Sequence, residues 1–298
     1  MIGKVHYTQC PVCSSIDIVK FLTTKDYTAS GEEFEIFQCN ACGLRFTQDP
    51  PDAASIGKYY KSQEYISHTD TSKGLINKLY QIVRKKTLKK KRRLVEELTG
   101  IKQGKLLDAG SGTGSFAAEM KNAGWQVTGL EPDADARRVA EELNNIKLLH
   151  ADELFNLSPG SYDAITLWHV LEHVHELSAY LKQFKILLKE NGKLIIAVPN
   201  YNSLDATVYK QYWAGYDTPR HLYHFSPLSM QKLMDKENLK VIGMKPMWYD
   251  SFYVSLLSSK YKTGKTNWPA ALWTGLRSNM KAIGNNKKCS SLIYIISK

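Results

Sequence analysis

Residues 108–114, DAGSGTG, constrain this chain more than any other feature. Three glycines in five positions follow the apolar run Lys105-Leu106-Leu107 and lead straight into a helix-patterned segment beginning at Ser115. Glycine tolerates positive φ and lets backbone come close to a ligand, so a glycine turn between strand and helix predicts a binding loop. The rhythm then repeats: strand 125–130, helix 135–143, strands 146–150 and 162–167, and helix 177–189 halted by Asn191-Gly192. Strand 193–198, KLIIAV, is of the buried type and is closed by Pro199. Strands alternating with helices argue for a parallel sheet covered on both faces. Two late strands, 240–249 and 289–297, flank a segment with helical stretches, 251–288.

A chain of 298 residues has room for one large domain and a small one. Residues 48–55, QDPPDAAS, break every regular pattern and mark a boundary. Ahead of it, 34–37 and 44–46 alternate as small strands, and four of the five cysteines form two CxxC pairs, Cys10/Cys13 and Cys39/Cys42. The start, MIGKVHYTQC, lacks the apolar core of a secretory signal, and no apolar run reaches bilayer length, so the expected location is the cytoplasm. There, paired CxxC units favour a metal over disulfides, and four thiolates complete the tetrahedral shell of a structural zinc ion. A redox CxxC is the competing reading, but it would need no second pair. Cys289, in the apolar run CSSLIYII, reads as a buried structural thiol. The expected organisation is a zinc ribbon over 1–50, a linker and basic helix over 51–103, and an α/β domain over 104–298 with a helical insertion at 251–288.

The glycine loop also selects its ligand. A dinucleotide fingerprint would place its third glycine at position 115, where Ser115 stands. Asp108, two residues before the first glycine, would repel a pyrophosphate but suits the cationic methionine end of S-adenosylmethionine. Glu131, in GLEPD, follows the next strand at about the distance where an acid meets ribose hydroxyls. Asp152, in ADELF, is placed to receive an adenine amino group. Three acids at three consecutive strand ends make ordinary loop acids the weaker reading.

LLDAGSGTG, GLEPD, SYDAITLWHVLEHV and NGKLIIAVPN resemble the successive motifs of class I S-adenosylmethionine-dependent methyltransferases. The subgroup is similar to ubiquinone-biosynthesis O-methyltransferases and to uncharacterised methyltransferases of surface-glycan loci, and the likeness covers about 104–241. It implies a Rossmann-like α/β fold: a seven-stranded, mostly parallel sheet with an antiparallel last strand, here preceded by a small β-rich zinc ribbon. By carry-over, Asp108, Gly110, Ser111, Gly112, Gly114, Glu131 and Asp152 hold the cofactor, with His169 of the Trp168-His169 turn beside it. The ribbon resembles those found before some sugar C-methyltransferases and some ribosomal RNA methyltransferases, and these neighbours imply different substrates.

Methyl transfer from a sulfonium asks the protein to align donor and acceptor and to remove a proton from a hydroxyl or amine. His169, Glu172 and His173 fall at i, i+3 and i+4, one face of a helix. They read as a base with its orienting acid, as packing, or as a divalent-metal site of the kind implied by some ubiquinone-type relatives, which carry a carboxylate where this chain has His169. The second cluster is PRHLYHF, 219–225. Its functional reading makes Arg220 a clamp for an anionic acceptor and His221 the base, with His224 and His173 as further candidates. Its structural reading pairs Arg220 with Asp217.

Of the net charge of +11, eight units lie in RKKTLKKKRR, from Arg84 to Arg93, which leaves +3 for the rest. That run occupies the middle of a long helix whose apolar positions, Leu75, Leu79, Ile82, Val83, Leu94, Val95 and Leu98, recur at helical spacing. It suits RNA, an anionic membrane surface or a phosphorylated substrate, or serves as a solvated face. Residues 58–74 read as helix and loop. The leading functional expectation is methyl transfer to an oxygen or carbon of a small-molecule or carrier-linked glycan acceptor. An RNA methyltransferase that uses the ribbon and basic helix is the alternative, and a cofactor-binding scaffold without catalysis is the third. Trp168-His169-Val170-Leu171 stands where adenine-N6 enzymes carry an asparagine-proline-proline-aromatic tetrad, which disfavours that chemistry.

Overall fold

A computed structural model describes residues 3–60 and 75–298, the side chains of 75–85 excepted. Most of the segment read as helix and loop, 58–74, therefore lies outside the described residues, as do the side chains of Leu75, Leu79, Ile82 and Val83. In chain order the elements begin with β1 (Ile18–Lys25), β2 (Glu33–Cys39), β3 (Arg45–Thr47), α1 (Leu75–Thr99), β4 (Lys105–Ala109) and α2 (Ser115–Asn122). They continue with β5 (Gln126–Leu130), α3 (Ala134–Asn144), β6 (Tyr162–Trp168), α4 (Leu177–Leu187), β7 (Leu188–Pro199) and α5 (Leu204–Tyr209). The last are β8 (Tyr223–His224), α6 (Pro227–Lys236), β9 (Lys240–Pro246), α7 (Asp250–Thr263), α8 (Trp268–Gly284) and β10 (Ser291–Ser297).

The larger sheet has the order β5-β4-β6-β7-β10-β9 and is mostly parallel with an antiparallel end. β4 lies between parallel β5 and β6, so Asp108 stands level with Gly129 on one side and Thr166 on the other. Strands covered on both faces must be apolar throughout, and Leu106, Leu107, Ala164, Ile165 and Leu167 are all fully buried. The expected strand 146–150 is reduced, among the described residues, to a single parallel bridge between Leu149 and Leu130. Ile146 and Leu148 are instead drawn into a small core with Ala117 of α2 and Ala140 of α3. At a sheet margin that side-chain anchorage satisfies the segment without a full ladder. The sheet thus has six strands, with the seventh represented by the bridge. β7 also begins five residues earlier than its sequence suggests. Asn191-Gly192 lies inside it, because Gly192 sits against the Tyr162 carbonyl, where a Cβ would approach to 3.0 Å.

The chain divides into two compact units. One comprises Ser67–Val170, Ser178–Ile196 and Ile295–Lys298, and holds the glycine loop. The other comprises Met1–Ile66, Leu171–Leu177 and Ala197–Tyr294. In this second unit the cysteine-bearing segment is joined by residues far along the chain. β8 extends its sheet to β1-β2-β3-β8, pairing Tyr223 with Phe46 and His224 with Arg45. Ile36 of β2 packs in one core with Ala206, Tyr209, Trp213 and Tyr216. A buried carboxylate, Asp205, organises the C-terminal part by accepting from Trp213 Nε1 at 2.8 Å, Ser278 Oγ at 2.6 Å and Ser290 Oγ at 2.8 Å. Among the described residues no helix is long and apolar enough to cross a membrane.

Candidate functional site

The glycine loop is anchored by its neighbours before any ligand is considered. Gly110 and Ser111 both donate their backbone N–H to the Leu130 carbonyl at 2.8 Å, and the Ser111 hydroxyl donates to the Asp108 carbonyl at 2.8 Å. Gly110 has φ +70°, and a Cβ there would come within 2.4 Å of Val170, so only glycine fits. Gly112 has φ +54°, with open space where a Cβ would be, and that open space leaves the backbone accessible to a ligand. Gly114 caps the start of α2 in the left-handed region.

Two carboxylates frame this loop. Asp108 is buried and accepts from the Thr166 hydroxyl at 2.7 Å. Burial pushes its carboxyl up to about 6, against the pull of the Thr166 and Ser111 hydrogen bonds and of Lys91. Glu131 accepts from Gly112 N at 2.8 Å and from Asp133 N at 3.0 Å, and burial raises its carboxyl as well. Trp168 meets Phe116 edge-on at 5.4 Å, carries Lys91 4.2 Å above its ring, and has a buried Nε1 with no hydrogen-bond partner. His169, the next residue, takes the left-handed conformation at φ +59°. The Asp152 side chain is 86% exposed and lies 3.2 Å from His150 Nδ1. A buried carboxylate, an open glycine backbone, a second carboxylate on the next strand and an unsatisfied indole N–H fit S-adenosylmethionine. Thr166 has no signal in the sequence that would have marked it, being one residue in an apolar strand.

The basic run is not a uniform patch. Arg92 bonds Glu96 at 2.6 Å and Glu119 at 3.0 Å, and Lys91 lies over Trp168, so part of the run serves its own unit. Lys86, Lys89, Lys90 and Arg93 are exposed.

In the other unit, Arg220 is engaged on every side. Its guanidinium bonds Asp26 at 2.9 Å, Asp217 at 2.7 and 3.0 Å, and the Tyr59 carbonyl at 2.9 Å, with Arg220 and Asp26 both almost inaccessible. The expected anion clamp is thus occupied by the protein's own carboxylates, Asp217 with two hydrogen bonds and Asp26 with one, and Asp26 is the partner that the sequence did not mark. Burial alone would raise the Asp26 carboxyl, but Arg220 holds it at about 2.

His221 is largely buried, with Nδ1 2.9 Å from the Gly215 carbonyl. A carbonyl only accepts, so Nδ1 carries a proton, and Nε2 lies 3.9 Å from an Asp217 oxygen. The His173 ring stands edge-on to His221 at 4.6 Å, its Nδ1 3.0 Å from the Arg220 carbonyl and from the Tyr60 hydroxyl. Burial drives the His173 imidazole down to about 4, and the neighbouring His221 adds to that, so His173 is neutral at pH 7. Glu172, His173 and His221 bring ligand-type atoms within 4.8 Å of one another. The structure therefore brings Glu172 and His173 together with His221. His224, the remaining candidate, donates from Nε2 to Thr47 and is fully desolvated beside Tyr216.

The four cysteines of the CxxC pairs converge. Cys10 and Cys42 sulfurs are 3.5 Å apart, as are those of Cys13 and Cys39, and all four lie within 4.8 Å of one another. A tetrahedral ion with Zn–S bonds of about 2.3 Å requires sulfur separations of about 3.8 Å. Both CxxC turns are closed alike, Ser14 N bonding the Cys10 carbonyl and Gly43 N the Cys39 carbonyl, each at 2.9 Å. The cluster fits a structural zinc. Elemental analysis of protein purified without added metal is expected to find one zinc per chain, lost on Cys39→Ser. A zinc-free protein with Cys10–Cys13 disulfides would instead mark a redox pair.

The strand order, the glycine loop and its flanking acids together define a nucleotide-cofactor enzyme of the α/β class. The family described as "Methyltransferase domain" matches residues 80–243, more than half of the chain, and the chain belongs to that family. It is a class I S-adenosylmethionine-dependent methyltransferase. The ubiquinone biosynthesis O-methyltransferase of Idiomarina loihiensis is 26% identical over 176 residues, 52% of this chain and 70% of that protein. An uncharacterized methyltransferase of Alkaliphilus oremlandii is 31% identical over 108 residues, 34% of this chain and 49% of that protein. The crystal structure of a SAM-dependent methyltransferase from Archaeoglobus fulgidus shares the fold with a TM-score of 0.50 at 16% identity, covering 72% of this chain and 94% of that one.

Proposed function

We propose that this methyltransferase acts on an oxygen or acidic carbon of a small-molecule or carrier-linked glycan acceptor, with His221 receiving the acceptor's proton. The observation that carries the reading is the orientation of the His221 ring, whose Nδ1–H is committed to the Gly215 carbonyl, so that proton exchange with an acceptor falls to Nε2. S-adenosylmethionine supplies a methyl group on a sulfonium and leaves as a neutral thioether. Asp108 meets its cationic end, the Gly110–Gly112–Gly114 backbone and Ser111 hold its body, and Glu131 receives ribose hydroxyls. Asp152 receives the adenine amino group, and the Trp168-His169 turn lies beside the cofactor. Arg220 acts as a positioning residue. Held by Asp26 and Asp217, it fixes the backbone on which His221 sits and whose carbonyl orients His173. Similarity to ubiquinone O-methyltransferases supports a small-molecule acceptor, and a cytoplasmic enzyme is consistent with it. The RNA reading rests on the basic run, part of which is engaged within its own unit.

The test is transfer of radiolabelled methyl into separated glycan, lipid, small-molecule and RNA fractions. Label in the first three supports the reading, and label confined to RNA overturns it. Asp108→Asn is expected to weaken S-adenosylmethionine binding by about 10–100-fold, the worth of a charge-assisted contact. Because the buried carboxyl titrates near 6, affinity of the unaltered protein should fall as pH drops below 6, approaching tenfold per unit, while the Asn variant stays flat. The folded pKa lies above the ordinary value, so ionised Asp108 opposes folding at neutral pH and the variant should melt no lower. Calorimetric titration from pH 5 to 8 with a parallel melting curve reads both; undiminished binding by the variant would remove Asp108 from the site.

A further inference from the structure

α7 and α8 form a helical pair built the opposite way round from one made only for water. The positions α7 buries are Ser251, Ser255, Ser258 and Ser259, and those of α8 are Ala271, Gly275, Ser278 and Ala282. Gly275 lets the helices approach until a Cβ there would lie 3.1 Å from the Ser251 carbonyl and the Phe252 backbone. The large apolar residues of α8 face outward instead: Trp268, Leu272, Trp273, Leu276, Met280 and Ile283 are all exposed, Trp273 by 60% and Ile283 by 77%. At 3.6 residues per turn these six fall within an arc of about 140°, so they form one continuous face rather than scattered positions. An exposed apolar face of that extent marks an interaction site.

Its charge identifies the occupant. Residues 251–288 contain seven lysines and arginines and not one aspartate or glutamate, whereas the chain outside this segment and 84–93 is net acidic. Lys262, Lys265, Arg277, Lys281, Lys287 and Lys288 are exposed, with Arg277 flanking the apolar arc. We propose that this face docks on an anionic lipid bilayer. α8 lies in the interfacial plane, its tryptophans at headgroup depth, its leucines, Met280 and Ile283 in the acyl boundary, and the cations against lipid phosphates. A second copy of the chain would bring two all-cationic faces together. A nucleic acid would satisfy the cations but gain nothing from the aliphatic side chains. The inference does not depend on which acceptor is methylated.

The full chain is sedimented with phosphatidylcholine vesicles, with and without about a third phosphatidylglycerol, and its tryptophan emission is followed. Binding to the anionic vesicles should be at least tenfold stronger, weaken with salt and shift emission to the blue. The double variant Trp268→Ser, Trp273→Ser should lose about tenfold in affinity and most of the blue shift, and Arg277→Gln, Lys287→Gln, Lys288→Gln should lose at least as much. These side chains are exposed, so melting curves should match the unaltered protein and confirm folding. Vesicle binding unchanged in both variants would overturn the proposal and point to another surface such as 84–93. A lipid-free dimer dissolved by the tryptophan variant would give the face to a second copy. RNA binding that outcompetes vesicles and ignores the tryptophans would make it a polyanion site.

Discussion

His221→Ala is expected to lower methyl-transfer turnover by about 10²–10⁴ while leaving S-adenosylmethionine affinity unchanged. The imidazole has its orientation set by Gly215, and the adjoining His173 is held neutral by burial, which makes His173 a poor proton acceptor and leaves the task to His221. The prediction separates chemistry from binding, because His221 and the glycine loop lie on different stretches of chain and draw on different partners. Turnover is measured with an acceptor found by the labelled-methyl screen, and affinity by calorimetry. Near-normal turnover would remove 219–225 from the mechanism and return attention to His169 and His173.

Asp26→Ala should cost about 3–5 kcal/mol of folding stability, the usual consequence of stranding one member of a buried ion pair. The loss is large because Arg220 would retain its charge with only Asp217 to meet it. The pH dependence carries the same signature. Asp26 titrates at about 2 in the folded protein, below its ordinary value of 3.8, so its contribution is present above pH 4 and is lost as pH falls toward 2. Denaturant melts of zinc-loaded protein at neutral pH, where the cysteine thiolates hold the ion, should show the variant unfolding at lower denaturant than the parent. A variant as stable as the parent would mean that Arg220 is held by Asp217 alone.

What could be read from the sequence were the features written in adjacent residues. The glycine loop, the acid after β5 and the paired cysteines are local patterns whose chemistry follows from spacing. β4, β5, β6 and α3 appear within a residue or two of their expected limits, because their apolar periodicity is strong. What could not be read depends on contacts between distant segments. β8 is two residues long, and nothing near Tyr223 announces that it pairs with Phe46. The Arg220–Asp26 pair spans most of the chain, and a buried acid looks like any other acid in a turn until its partner is seen. The strand 146–150 has the right residues, yet anchorage of Ile146 and Leu148 on α2 and α3 replaces most of its ladder. The outward apolar face of α8 is invisible for a related reason: periodicity shows that a helix has an apolar side but not which way that side turns.

The most direct test is a calorimetric titration of S-adenosylmethionine into the purified chain, with NAD as a parallel ligand. The expected result is one site per chain with a dissociation constant in the micromolar range, about −8 kcal/mol, and no measurable binding of NAD. The double variant Asp108→Ala, Glu131→Ala, correctly folded, should abolish it. Binding of NAD in preference to S-adenosylmethionine, or undiminished S-adenosylmethionine binding by that variant, would contradict the assignment of the glycine loop and its two carboxylates as the cofactor site.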